Sequence, residues 1–335
     1  MIEFIKNYII ENRQIFSKHI KDAGNLRFFQ YGASPRKIVF LIFTQGSLYP
    51  ALCVKMVREK DNEWLLKKEM QSLEDIHAHY GDLRSSIPVF ICLESIEGEL
   101  ALFQTAAAGK VLDSIIGTKW HFMNRSCVQG IFDIVGGWLI KFSKEAQKLT
   151  TIKSEQDKIK YLQSVTEQYK KSFVLSKTED EKISGLIDTF QGRGIYDAHF
   201  YPQHGHFWPG NIFLKNDTIN VVDWKDYADV QLPLYDPLLF CLTYGLKRYP
   251  GDPLKSFEWA LFGKSWFSRL TGKQALAYCS ACGADISLAG PLSALMLMRL
   301  ASYARALHQP GKEDLSETWR SLLEFYFKNE ERFLK

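Results

Sequence analysis

Five short, apolar, β-rich runs and one amphipathic stretch crowd into roughly the first hundred residues, and the rest of the chain reads almost wholly as helix. Leu26 to Gln30, Ile38 to Phe43 and Ala51 to Val57 are separated by two segments rich in turn formers, Tyr31 to Lys37 and Thr44 to Pro50. That spacing predicts a three-strand antiparallel meander. In Asn62 to Tyr80, the residues Leu65, Leu66, Met70, Leu73 and Ile76 recur at helical spacing among charges. Two further strand runs come next, Pro88 to Leu93 and Glu99 to Gln104, joined at Glu97-Gly98. Three strands, a helix and two strands make a compact α+β unit, because a sheet with one apolar face needs a helix to cover it.

Beyond Ala106-Ala-Ala-Gly109 the period changes to that of helices. Val128 to Leu149 and Ile159 to Phe173 are amphipathic, the second with Ile159, Leu162, Val165, Tyr169 and Phe173 on one side. Ile212 to Leu214 and Ile219 to Val222 flank a turn and predict a short hairpin; helices return from Leu234, with breaks at Tyr249-Pro-Gly251 and Gly290-Pro291. A chain of 335 residues is long enough for one large or two smaller cores, and 46% hydrophobic with 24% charged residues is a globular composition. A net charge of +4, from 42 basic against 38 acidic side chains, is too slight to predict a nucleic-acid partner. Met1 to Phe16 mixes apolar and charged residues without the apolar run of a secretory signal. Ile286 to Met298 contains Pro291 and stops at Arg299, short of a membrane span. Of six scattered cysteines only Cys279 and Cys282 are close, and they read as small apolar residues on a helix. A reduced, cytoplasmic chain is the expectation.

The chemistry concentrates in His204-Gly-His-Phe-Trp-Pro-Gly-Asn-Ile-Phe-Leu214 and the subsequent Val221-Val-Asp-Trp-Lys225. Here the chain resembles the aminoglycoside phosphotransferase and choline kinase superfamily, whose fold is like that of protein kinases. That family reads His-Gly-Asp, four residues, Asn, a short hairpin, then Ile-Asp-Trp-Glu. Further matches occur in the family's order: Lys55 in the third strand, Glu69 in the next helix, Leu102 to Gly109 as the hinge, and Pro233-Leu-Tyr-Asp236 after the metal aspartate. The resemblance implies a two-lobed α+β fold. Residues 1–105 would be a nucleotide-binding lobe with a five-stranded antiparallel sheet and a helix. Residues 106–335 would be a larger, mainly helical lobe carrying the catalytic and metal-binding loops.

The resemblance also implies roles. Lys55 would hold the phosphates of ATP or GTP, with Glu69 keeping it aimed. Asn211 and Asp223, 12 residues apart on either side of the hairpin, supply the oxygen ligands that Mg2+ requires. Tyr31-Gly-Ala-Ser34 falls where the family covers the phosphates with a loop, so Gly32 and Ser34 are candidates there, and Gln104 lies at the hinge. Taken singly these residues read otherwise: Lys55 as a snorkelling strand lysine, Glu69 as a solvent-facing helix charge, Asn211 and Asp223 as turn residues. His204 reads as a brace for the catalytic loop.

His206 departs from the pattern. It stands five residues before Asn211, where the family has its catalytic Asp. Neutral imidazole also accepts a proton, and its unperturbed pKa of ~6.5 makes it the stronger base. It brings no negative charge, however, and in its protonated form would favour phosphate and resist magnesium. Two functions are open. One is a Mg2+-dependent phosphotransferase acting on a hydroxyl of a small molecule or peptide, with Lys55, His206 and Asn211 in the catalytic set. The other is a pseudokinase that binds nucleotide or a protein partner without efficient transfer. A third option, the same fold turned to another nucleotide-assisted reaction, has only His206 behind it. The mild basic excess argues against a polycationic acceptor.

Overall fold

The computed structural model describes every residue except 21, 34–35, 118–119, 193–194, 196, 309–313 and 335. The chain forms two compact units. The first is Met1–Ile115 with Gly210–Tyr227, and the second is Ile116–Pro209 with Ala228–Lys335.

The first unit is built on a five-stranded antiparallel sheet: β1 (Arg27–Ala33), β2 (Lys37–Phe43), β3 (Leu52–Val57), β4 (Phe90–Ile96) and β5 (Glu99–Thr105), in the order β1-β2-β3-β5-β4. The predicted meander, helix and two closing strands are all present. Alternation along β3 sorts its side chains between two layers. Val54 and Met56 join Phe40, Ile42 and Phe103 on one face, covered by α1 (Ile2–Glu11) and α2 (Arg13–Phe16) through Ile5, Ile9 and Phe16. Val57 and Leu102 point to the other face, against Leu66 and Met70 of α3 (Glu63–His79). The short strand β6 (Lys110–Val111) then pairs with a hairpin of β7 (Ile212–Lys215) and β8 (Thr218–Val221) from much later in the chain. Gly109 is required there. Its φ is +111°, and a Cβ would run into the Leu214 carbonyl. A short α4 (Leu112–Ile116) comes directly after β6.

Tyr31, Gly32 and Ala33 belong to β1 itself, not to a loop after it, with a bulge between Gln30 and Gly32. A Cβ on Gly32 would meet open space, so the position does not demand glycine. Ser34 lies outside the described residues.

The second unit is helical: α5 (Arg125–Gln147), α6 (Glu155–Ser172), α7 (Lys177–Gly192), α8 (Tyr235–Leu246), α9 (Pro253–Phe257), α10 (Trp266–Cys282), α11 (Ala289–Leu307) and α12 (Leu315–Asn329). The chain does break at Tyr249-Pro-Gly251, between α8 and α9. Gly290-Pro291 is not a break but the first turn of α11, where proline's missing N–H has no intrahelical partner to lose. Ile286–Leu307 is long and apolar enough to cross a membrane, yet 72% of its apolar window is buried inside the protein. It packs against α6 and α12 as the core of the unit. Cys279 and Cys282 are buried on α10 with free thiols.

Candidate functional site

Within the first unit the sheet and α3 bury a lysine and a glutamate against each other. Lys55 occupies a β3 position whose neighbours are all buried, between Val39 of β2 and Leu102 of β5. Its ammonium donates to Oε1 of Glu69, itself 2% exposed on α3. Two opposite charges this deeply buried are tenable only as a pair. Burial works against the Lys55 ammonium, but Glu69 and Asp223 outweigh it and hold its pKa above the ordinary lysine value.

The hairpin delivers Asn211 and Asp223 together. Ile212 faces Val221, and the Val222 N–H donates to the Asn211 carbonyl at 3.0 Å, so the two candidates leave the open end of the hairpin side by side. Asp223 takes the left-handed conformation (φ +68°), which aspartate tolerates better than most residues. The reversal turns the chain into a 3₁₀ turn, Trp224–Asp226, anchored by the buried Trp224, whose indole N–H donates to the Val221 carbonyl at 2.9 Å. That turn packs on α3. Tyr80, at the C-cap of α3, shares a 2.7 Å hydroxyl–hydroxyl hydrogen bond with Tyr227 just after the turn.

Asp223 is ringed by ammonium groups. Lys37 donates to Oδ1 at 2.6 Å, Lys55 lies 3.9 Å from the same oxygen, and Lys225 lies 3.4 Å from Oδ2 while donating to Asp226 at 2.7 Å. Sequence reasoning brought Lys55, Glu69 and Asp223 forward and missed Lys37 and Lys225. The signal for Lys37 was its register. It sits two residues from Val39, which pairs with Lys55, so both lysines face one side of the sheet. Gln104 is 1% exposed near the end of β5, and its Oε1 has no hydrogen-bond partner among the described residues. An orphaned buried acceptor at the end of a strand suits a ligand N–H.

Oxygen donors from Asn211 and Asp223 suit a hard cation. One carboxylate and one amide do not complete a coordination shell, and among the described residues no group of three His, Cys, Asp or Glu side chains would hold a metal. Magnesium characteristically takes that form: few protein ligands, with phosphate and water supplying the rest. The residues therefore fit a nucleotide-bound cation and not a self-contained metal site.

The second unit carries the His204–His206 loop, held from beneath by a carboxylate. Oδ2 of Asp236, in the first turn of α8, accepts from the His204 N–H at 2.6 Å, and Oδ1 accepts from the Gly205 N–H at 3.0 Å. Gly205 is left-handed, φ +79°. Burial pushes the Asp236 carboxyl up to about 7, against the two N–H donors that lower it. His204 is fully buried, and its Nδ1 accepts from the His206 N–H at 3.2 Å, which leaves its proton on Nε2. The His206 ring stacks on Trp208 (centroids 5.9 Å apart), and Phe207 stacks on Trp138 of α5 at 5.4 Å. Ring packing and backbone bonds thus fix the loop and present His206 from a braced frame.

No family model and no curated protein matches the sequence. Solved structures do. The GDP complex of wild-type aminoglycoside 2'-phosphotransferase-IIIa aligns with a TM-score of 0.57 at 14% identity, over 96% of this chain and 99% of that one. The GDP and kanamycin complex of APH(2")-IIia gives 0.56 at 14%, with the same coverage. At that identity the likeness is one of fold: the chain has the α+β, protein-kinase-like fold of these phosphotransferases.

Proposed function

We propose that the chain is a nucleotide-dependent phosphotransferase that moves the γ-phosphoryl group of ATP or GTP to a hydroxyl of a small molecule or peptide. The observation that carries this reading is the buried Lys55–Glu69 pair beside Asp223. A fold has little reason to bury such a pair at the edge of a second carboxylate unless an anion is to be held there. Lys55 binds the nucleotide phosphates as a point charge, and Glu69 keeps it aimed. Asn211 and Asp223 hold Mg2+, which when bound supplies charge neutralisation to the transferring phosphoryl group. The orphaned Gln104 Oε1 accepts from the base. His206 receives the acceptor hydroxyl's proton as a neutral imidazole, and His204 and Asp236 keep its loop in place. Phosphoryl transfer draws most of its acceleration from positioning and electrostatics, so the loss of a carboxylate base slows it without abolishing it. The six free thiols suit a reducing compartment.

Calorimetric titration with ATP and GTP, then γ-phosphate transfer to a panel of hydroxyl-bearing metabolites and peptides, tests the proposal. Absence of nucleotide binding overturns it. A kinase-like module that binds nucleotide or a protein partner without transfer is favoured by one observation, the Lys37 ammonium on Asp223. His206→Asp separates the two: an inert wild type whose variant gains turnover supports the non-transferring module, and a variant that loses turnover makes His206 a working base.

A further inference from the structure

Building on the phosphotransferase reading, we infer that Lys37 is a resident counter-ion of Asp223 that moves onto the phosphates of an arriving nucleoside triphosphate, so that the chain binds such a nucleotide without a divalent metal. Three ammonium groups (Lys37, Lys55, Lys225) and three carboxylates (Glu69, Asp223, Asp226) interlock here, so that within this set each negative charge is matched by a positive one. The three lysines are not equivalent. Lys55 is committed to Glu69 in the interior, and Lys225 is tied to Asp226 by a 2.7 Å contact. Lys37 has the most exposed side chain of the three, at 23%, and it pairs with Asp223 from the solvent side of the cluster. A four-carbon stem with a strongly hydrated head is suited to changing partners.

A triphosphate brings several negative charges to this set of paired ions. Lys37 then does what magnesium does elsewhere, screening phosphate charge from Asp223. A divalent ion taking Asp223 Oδ1 would compete with the ammonium already 2.6 Å away. Metal thus becomes a requirement for chemistry more than for binding. An ion pair with no part in binding would leave nucleotide affinity untouched when broken.

The test is isothermal titration calorimetry with ATP and with GTP, in excess Mg2+ and in EDTA, on the full chain, Lys37→Met and Lys37→Arg. The wild type is expected to bind at least one nucleotide in EDTA, within about tenfold of its affinity in Mg2+. Lys37→Met should weaken binding in EDTA by about ten- to a hundredfold, the value of one hydrogen bond between charged groups, and weaken it far less in Mg2+. Lys37→Arg keeps the charge and should keep the metal-free binding. Wild-type binding in Mg2+ but not in EDTA overturns the inference and leaves the phosphotransferase reading standing, as does a Lys37→Met loss equal in both buffers. Binding in neither buffer overturns both. Should Lys37→Met fail to fold by circular dichroism, the wild type in EDTA decides alone.

Discussion

Two carboxyl groups in this molecule are buried for opposite reasons, and each can be removed. Asp236 accepts two backbone N–H groups of the His204–His206 loop. Asp236→Ala orphans both donors and should cost about 2–6 kcal/mol in urea denaturation, at ~1–3 kcal/mol for each unsatisfied group. Its carboxyl, pushed up to about 7, gives the sign of a pH effect. Between about pH 4 and 7 the unfolded chain has lost a proton that the folded chain still holds, so folding stability falls as pH rises through that window. Asp236→Asn should flatten the slope; an unchanged slope means the carboxyl titrates normally. Glu69, by contrast, is buried against a cation. Lys55→Met strands it and should cost about 3–5 kcal/mol, with nucleotide binding lost. Lys55→Met with Glu69→Leu should restore most of that stability but not the binding, a dissociation readable by denaturation and calorimetry together. Lys55, Glu69 and Asp223 were legible because each sits in a short motif with fixed order. Lys37 was not, because it reads locally as a strand's first, solvent-side lysine and meets its partner 186 residues away.

At the scale of elements, strand alternation and turn residues were enough to read the sheet, since a strand with one core face repeats every two residues. The N-terminal helices escaped notice. Ile2, Ile5 and Ile9 keep helical spacing, but the charges between them, read as evidence against a signal segment, hid it. These helices close one face of the sheet, and Phe16 packs its ring 5.3 Å from Phe103. Phe16→Ala should cost about 3–5 kcal/mol in chemical denaturation. The glycines divide as their surroundings require. Gly109→Ala, at φ +111° against the Leu214 carbonyl, should destabilise by about 1–3 kcal/mol, whereas Gly32→Ala should change stability by under about 1 kcal/mol and leave nucleotide affinity unaltered. A large loss of affinity in Gly32→Ala would restore to that glycine the phosphate-covering role that the sequence suggested.

For the whole molecule, chain order says little about which distant segments cluster. The hairpin and turn of Gly210–Tyr227 belong with the first 115 residues, and pairing of β6 with β7 joins them. Ligand linkage offers a global readout. Nucleotide at a hundred times its dissociation constant should add about 2.7 kcal/mol to folding, visible as a raised unfolding midpoint; a midpoint indifferent to ATP and GTP contradicts binding. The hydroxyl bridge between Tyr80 and Tyr227 is a strut: it ties the far end of α3 to the residue just past the aspartate turn, so the helix that carries Glu69 and the turn that carries Asp223 are pinned to each other beyond the ion pairs themselves.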